Sequence, residues 1–213
     1  MNTLIRMREL MEVFPSGHGE MVHAHIVRLA VLYEDLRIEL YAIAEPSMPI
    51  LDGTDERYRK NYFLRRSIAT LVEFAETVRL LNECDEFQSI KEGFDKDIRP
   101  YWDKAVRFFQ RHEQFFKRVR NDIGGHFGSG AATFAVKSLS PEAVGKLEVR
   151  KDETVRLHFV GELVATATLR HLFGSSNQHK FQRLLRRTLL GFRHATRCSH
   201  CVTVGYLWER FGR

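Results

Sequence analysis

The chain has 213 residues, 44% of them hydrophobic and 28% charged, which is enough apolar material for one sizeable core and too much for a disordered chain. No apolar run approaches the ~18 residues that crossing a bilayer takes, and Arg6, Arg8, Glu9 and Glu12 interrupt the stretch where a signal peptide would be apolar. Three cysteines cannot build a disulfide framework, so a protein of the reducing cytoplasm without membrane contact is expected.

The first helix is predicted over residues 20–44, where Val22, Ile26, Leu29, Leu32 or Tyr33, Leu36 and Leu40 recur at spacings of three and four. Two prolines and a glycine in residues 46–53 end it. Thr54, followed by Asp55 and Glu56, starts a second helix that carries Phe63, Ile68, Leu71, Val72, Phe74, Val78 and Leu81 to residue 82. Residues 84–97 read as a polar separator. A third helix starts near Pro100 and carries an apolar stripe of Trp102, Val106, Phe109, Phe116, Ile123 and Phe127, with Phe108, Phe115 and Val119 alongside. Such a stripe is read as core.

Four glycines between 124 and 130 then crowd the helix end, before short helical runs over 131–139 and 141–145. The period changes to two at Leu147 and Val149, and again at Val155, Leu157 and Phe159, around a polar turn at 151–153. This predicts a small β-hairpin over 147–160. Helical patterning resumes at 162–173 and from 176 towards 208. The fold class expected is mainly α: a helical bundle over 1–146, then 147–213 as hairpin plus a basic helical extension.

The net charge of +6 is not spread evenly. Residues 177–213 hold eight Lys and Arg against Glu209 alone, whereas the rest of the chain is close to neutral. Phe181, Leu185, Thr188 and Phe192 share one side of the last helix, which leaves Lys180, Arg183, Arg187, Arg193 and Arg197 outward or flanking. A helix so charged suits a polyanionic partner, and RNA is the one expected.

Several groupings carry no chemistry. Gly128, Ser129 and Gly130 follow a helix, where a dinucleotide loop would follow a strand. His23 and His25 point to nearly opposite sides of a helix, which with His18 argues against a metal cluster. Cys198 and Cys201, even with His194, fall short of the four ligands of a structural zinc site, and Cys84 stands alone. No metal and no cofactor is expected.

Chemistry concentrates between residues 117 and 126, which hold Lys117, Arg118, Arg120, Asn121, Asp122 and His126. Guanidinium groups recognise phosphate through a planar fork of donors, and imidazole moves protons near neutrality. Together they suit cleavage of RNA by its own 2′-hydroxyl. Arg120, Asn121 and His126 resemble the Arg-Asn-x4-His motif of HEPN domains. The resemblance covers roughly residues 20–140. It implies an α-helical bundle in which two subunits bring their motifs together as one metal-independent ribonuclease site. It further implies that Arg120 stabilises the phosphate, Asn121 orients the site and His126 does the acid–base work. Homodimerisation, a role as a prokaryotic toxin or phage-defence effector, and an antitoxin or defence-system partner follow from the same resemblance.

The residues leave alternatives open. Gly124 and Gly125 interrupt the motif, and each costs about 0.8–1 kcal/mol of helix propensity relative to Ala. An ideal helix places Arg120 and His126 about 120° apart. Arg118, Asp122 and His126, at spacings of four, share a face instead. The other reading is an inert helical module that binds a protein or nucleic acid.

Overall fold

The computed structural model describes residues 20–45, 56–121, 133–134, 136–137, 147–149, 155–157 and 178–211. Among these the structure is mainly helical. The helices are α1 (Glu20–Ala44), α2 (Glu56–Asn82), α3 (Asp85–Glu92), α4 (Arg99–Val119) and α5 (Gln178–Phe211). Strands β1 (Leu147–Val149) and β2 (Val155–Leu157) pair antiparallel, with Leu147 opposite Leu157 and Val149 opposite Val155. The residues between the strands lie outside those described, as do the helical runs expected over 141–145 and 162–173 and the remainder of the α4 stripe at Ile123 and Phe127. Thr133, Phe134, Val136 and Lys137 are helical.

Each long helix buries one seam at spacings of three and four. On α1 the seam is Val22, Ile26, Leu29, Leu32, Leu36, Glu39 and Ala42. On α4 it is Trp102, Ala105, Phe109, Phe116 and Val119. The middle of α2 differs, because every residue from Ser67 to Val72 is buried. A helix closed in all round has no water to satisfy its hydroxyls. Ser67 and Thr77 therefore donate to the carbonyls one turn back, those of Phe63 (2.5 Å) and Glu73 (2.8 Å), while the Thr70 hydroxyl, 3.2 Å from the Arg66 carbonyl, has a nearer acceptor on α1.

The chain divides into two compact units, each drawn from separate segments. The first comprises Met1–Leu36, Glu73–Glu113 and Leu190–Arg213; the second comprises Arg37–Val72 and Gln114–Leu189. The division does not follow a boundary at 146/147: the C-terminal part of α5 belongs to the same unit as α3 and the start of α1.

In the first unit the core is aromatic. Phe87 lies 4.7 Å from Trp102 and 6.1 Å from Phe94, and Phe74 lies 5.1 Å from Phe109, between ring centroids. Tyr206 of α5 meets the buried His23 of α1 edge to face at 5.9 Å. A Cβ on Gly205 would stand 2.9 Å from Ile98 Cδ1 and 3.8 Å from the Phe94 ring, so a larger residue there would have to displace the end of the Ile98 side chain.

The expected polar separator proves to contain a helix, α3. Eight residues with one buried side chain, Phe87, are too few for a periodic signal. Asp85 and Glu86 favour its first turn, and Arg99 closes its last by donating to the carbonyl of Glu92 at 2.7 Å.

The second unit uses the same device at greater depth. Arg59 of α2, only 4% exposed, donates to the carbonyls of Ala42 (2.9 Å) and Glu45 (2.6 Å) at the end of α1. These are acceptors that the helix itself cannot satisfy, at its negative pole. The buried Glu39 accepts from the Thr70 hydroxyl at 2.7 Å, with Arg66 at 3.8 Å.

Arg59→Met should therefore destabilise the protein by about 2–3 kcal/mol in urea unfolding, since it removes charge-assisted bonds and leaves buried acceptors. Arg79→Ala, which breaks an exposed pair with Glu83 (2.8 Å), should cost about 0.5 kcal/mol or less. Equal costs for the two would contradict the capping role.

Candidate functional site

The residues singled out in the sequence fall at the end of α4 and along the first part of α5. In the second unit, α4 finishes at Val119 and widens into a π turn at residues 120–121. Such turns recur at functional sites. Arg118, Arg120 and Asn121 are all exposed there, and Arg120 Nη1 stands 3.5 Å from Asn121 Oδ1, at the long end of hydrogen-bond distance. Lys117 and Arg118 occupy the last helical turn, where cations face the carbonyl pole. Asp122 and His126 lie outside the described residues, so the structure bears on Arg118, Arg120 and Asn121 alone.

The basic face of α5 is rotated slightly from the expected one. The buried seam runs through Leu184, Thr188, Phe192, Ala195, Cys198, Val202 and Tyr206, and Leu185 is only half-buried. Arg183, Arg193 and Arg197 are exposed as expected; the side chain of Lys180 lies outside those described. Arg187 is half-buried instead, with its guanidinium carbon 4.7 Å from the centroid of the Phe115 ring in the second unit. That stacking holds the guanidinium in place and leaves its edge for hydrogen bonds.

The first unit holds a group that the sequence reading did not assemble. His194 of α5 is half-buried, its ring 4.8 Å from Phe108 of α4 and tilted by 35°. Phe108 in turn lies 4.8 Å from His112. Exposed Lys104, Arg193 and Arg197 surround the imidazole closely enough to act on its charge. Burial first, then Arg193, Lys104 and Arg197, hold the pKa of His194 below its ordinary value. Among the described residues none of these three cations makes an ion pair. Sequence reasoning placed Phe108 beside the core stripe and weighed His194 only as a zinc ligand. The available signal was the row Lys104, Phe108, His112, four residues apart on one face of α4.

Cys198 and Cys201 offer no nucleophile. Cys198 is fully buried, and burial, followed by the neighbouring Cys201, pushes its thiol far above the ordinary range. Burial raises Cys201 as well, against the opposing pull of Arg197. Both stay protonated near neutrality. Among the described residues no three His, Cys, Asp or Glu side chains are arranged to hold a metal ion, and no helix is long and apolar enough to cross a membrane.

His25 resembles His194 electrostatically: burial, then Arg28, lowers its pKa from 6.5. For both, the unfolded chain binds a proton at higher pH than the folded one. Stability should therefore fall as pH drops below about 6.5, until the folded imidazoles also protonate. Urea midpoints at about pH 7.5 and 5.5 should differ, and His25→Gln with His194→Gln should shrink the difference. An undiminished difference would assign the effect to other groups.

Comparison with protein-family models, with curated proteins and with solved structures finds no match, so the functional reading rests on these residues themselves.

Proposed function

We propose that the chain is a metal-independent endoribonuclease of the HEPN kind, whose site is completed when two copies bring their Arg120–His126 segments together. The observation that carries this reading is the exposed Arg120–Asn121 pair at the end of α4, with the motif's His126 five residues on. The basic, RNA-ready face of α5 supports it. A toxin or phage-defence effector is the biological role that such an activity fits.

In this scheme His126 takes the proton of a 2′-hydroxyl, and the 2′-oxygen attacks the adjacent phosphorus. The bond from phosphorus to the 5′-oxygen breaks, and that oxygen takes up a proton from an imidazolium, in the dimer the second His126. Arg120 offsets the extra negative charge on the phosphorane oxygens, which is greatest in the transition state. Asn121 orients the group through its amide. The products carry a 2′,3′-cyclic phosphate and a 5′-hydroxyl.

Full-length protein should cleave single-stranded RNA in EDTA and behave as a dimer in light scattering. His126→Ala should reduce cleavage by about 10²–10⁴-fold with the melting temperature unchanged, and Arg120→Ala comparably. Arg118→Ala should do less. If Arg118→Ala is the damaging change and Arg120→Ala is silent, the chemistry belongs to the Arg118–Asp122–His126 face. Binding of RNA without any cleavage by wild type would make the protein a binding module.

A further inference from the structure

The aromatic and cationic group of the first unit lies outside the motif; Arg193 and Arg197 belong to the basic residues chosen from the sequence, whereas His194, Phe108, His112 and Lys104 do not. We propose that His194, backed by Phe108 and His112, is a stacking platform for one base of single-stranded RNA, with Lys104, Arg193 and Arg197 engaging the phosphates beside it. The proposal rests on the RNA-binding part of the reading above and not on cleavage.

Three observations carry it. His194 is half-buried with its ring against Phe108 at 4.8 Å, so the ring is held while part of the residue stays exposed. Phe108 is itself braced by His112 at 4.8 Å and by Phe109 at 5.2 Å, which fixes the platform before a ligand arrives. The surrounding cations are exposed and without carboxylate partners among the described residues, so their charge is available to an anion.

Burial first, and then the three cations around it, make this imidazole costly to protonate and lower its pKa. A polyanion at the same place would relieve that cost. Bases have a π face whatever their identity, so the platform tolerates any sequence. Bases within a duplex are already stacked on one another, which selects for a single strand.

The test uses full-length protein carrying His126→Ala, so that RNA stays intact, and fluorescence anisotropy in EDTA. The probes are a fluorescein-labelled oligouridine of about a dozen nucleotides and an abasic backbone of equal length. Phe108→Leu and, separately, His194→Gln should weaken oligouridine binding about fivefold or more and leave abasic binding unchanged. Lys104→Gln should weaken both probes alike and lower the salt slope by about 0.7.

Circular dichroism and melting identify any variant that fails to fold, and His194→Gln, at the half-exposed position, serves if Phe108→Leu does. An unchanged ratio between the two probes in both folded variants overturns the platform, as does a duplex that competes as well as the single strand. If the His126→Ala parent binds neither probe, the RNA reading falls with it; if it binds both equally, only the platform falls.

Discussion

Closing α2 in on every side is the constraint that the other elements answer. From Ser67 to Val72 no side chain of α2 has a solvent side, so its polar groups must be satisfied by protein. The buried hydroxyls of Ser67 and Thr77 turn back on the helix's own carbonyls, which takes no tertiary partner. Glu39, a carboxylate on the buried seam of α1, is tolerated because Thr70 donates to it and Arg66 stands nearby. Arg59 reaches the free carbonyls that end α1, and so ties the start of one helix to the finish of the previous one. Loss of Arg59 or of the Thr70 hydroxyl would take a partner from a buried acceptor.

Charge follows from the same geometry. A helix that buries a seam at spacings of three and four has little room for cations except on its remaining faces, and α5 carries its arginines there. Arg187 and His194 nevertheless lie half-buried against phenylalanines of α4, Phe115 in the second unit and Phe108 in the first. Aromatic rings that a sequence pattern assigns to the core thus serve as supports for polar groups at its margin. Held cations and imidazoles lose less entropy on meeting a partner than free ones.

Much of the helical layout is legible in the chain. The pattern of Val22, Ile26, Leu29 and Leu36 marks α1 to its observed ends, and Pro100 marks the start of α4 within a residue. α3 was hidden because Phe87 is its one fully buried side chain, and a single anchor has no period. The face of α5 was misjudged by a small rotation: Leu184, not Leu185, joins Thr188 and Phe192 in the seam. Adjacent leucines look alike in sequence, and only the neighbouring surface selects between them.

Local rules, namely hydrophobic period, proline placement and the clustering of arginine after residue 176, determined the helices, the α character of the fold and the positive charge of its last element. Those rules act over one or two turns. Tertiary structure decided which distant residues meet: Phe108 with His194, Phe115 with Arg187, Arg59 with the end of α1. Such meetings depend on how side chains of different helices fill shared space, and no spacing along one helix encodes the identity of the residue packed against it. The Arg120–Asn121 pair was visible as a motif; that both residues are exposed at a widened helix end is seen only in the structure.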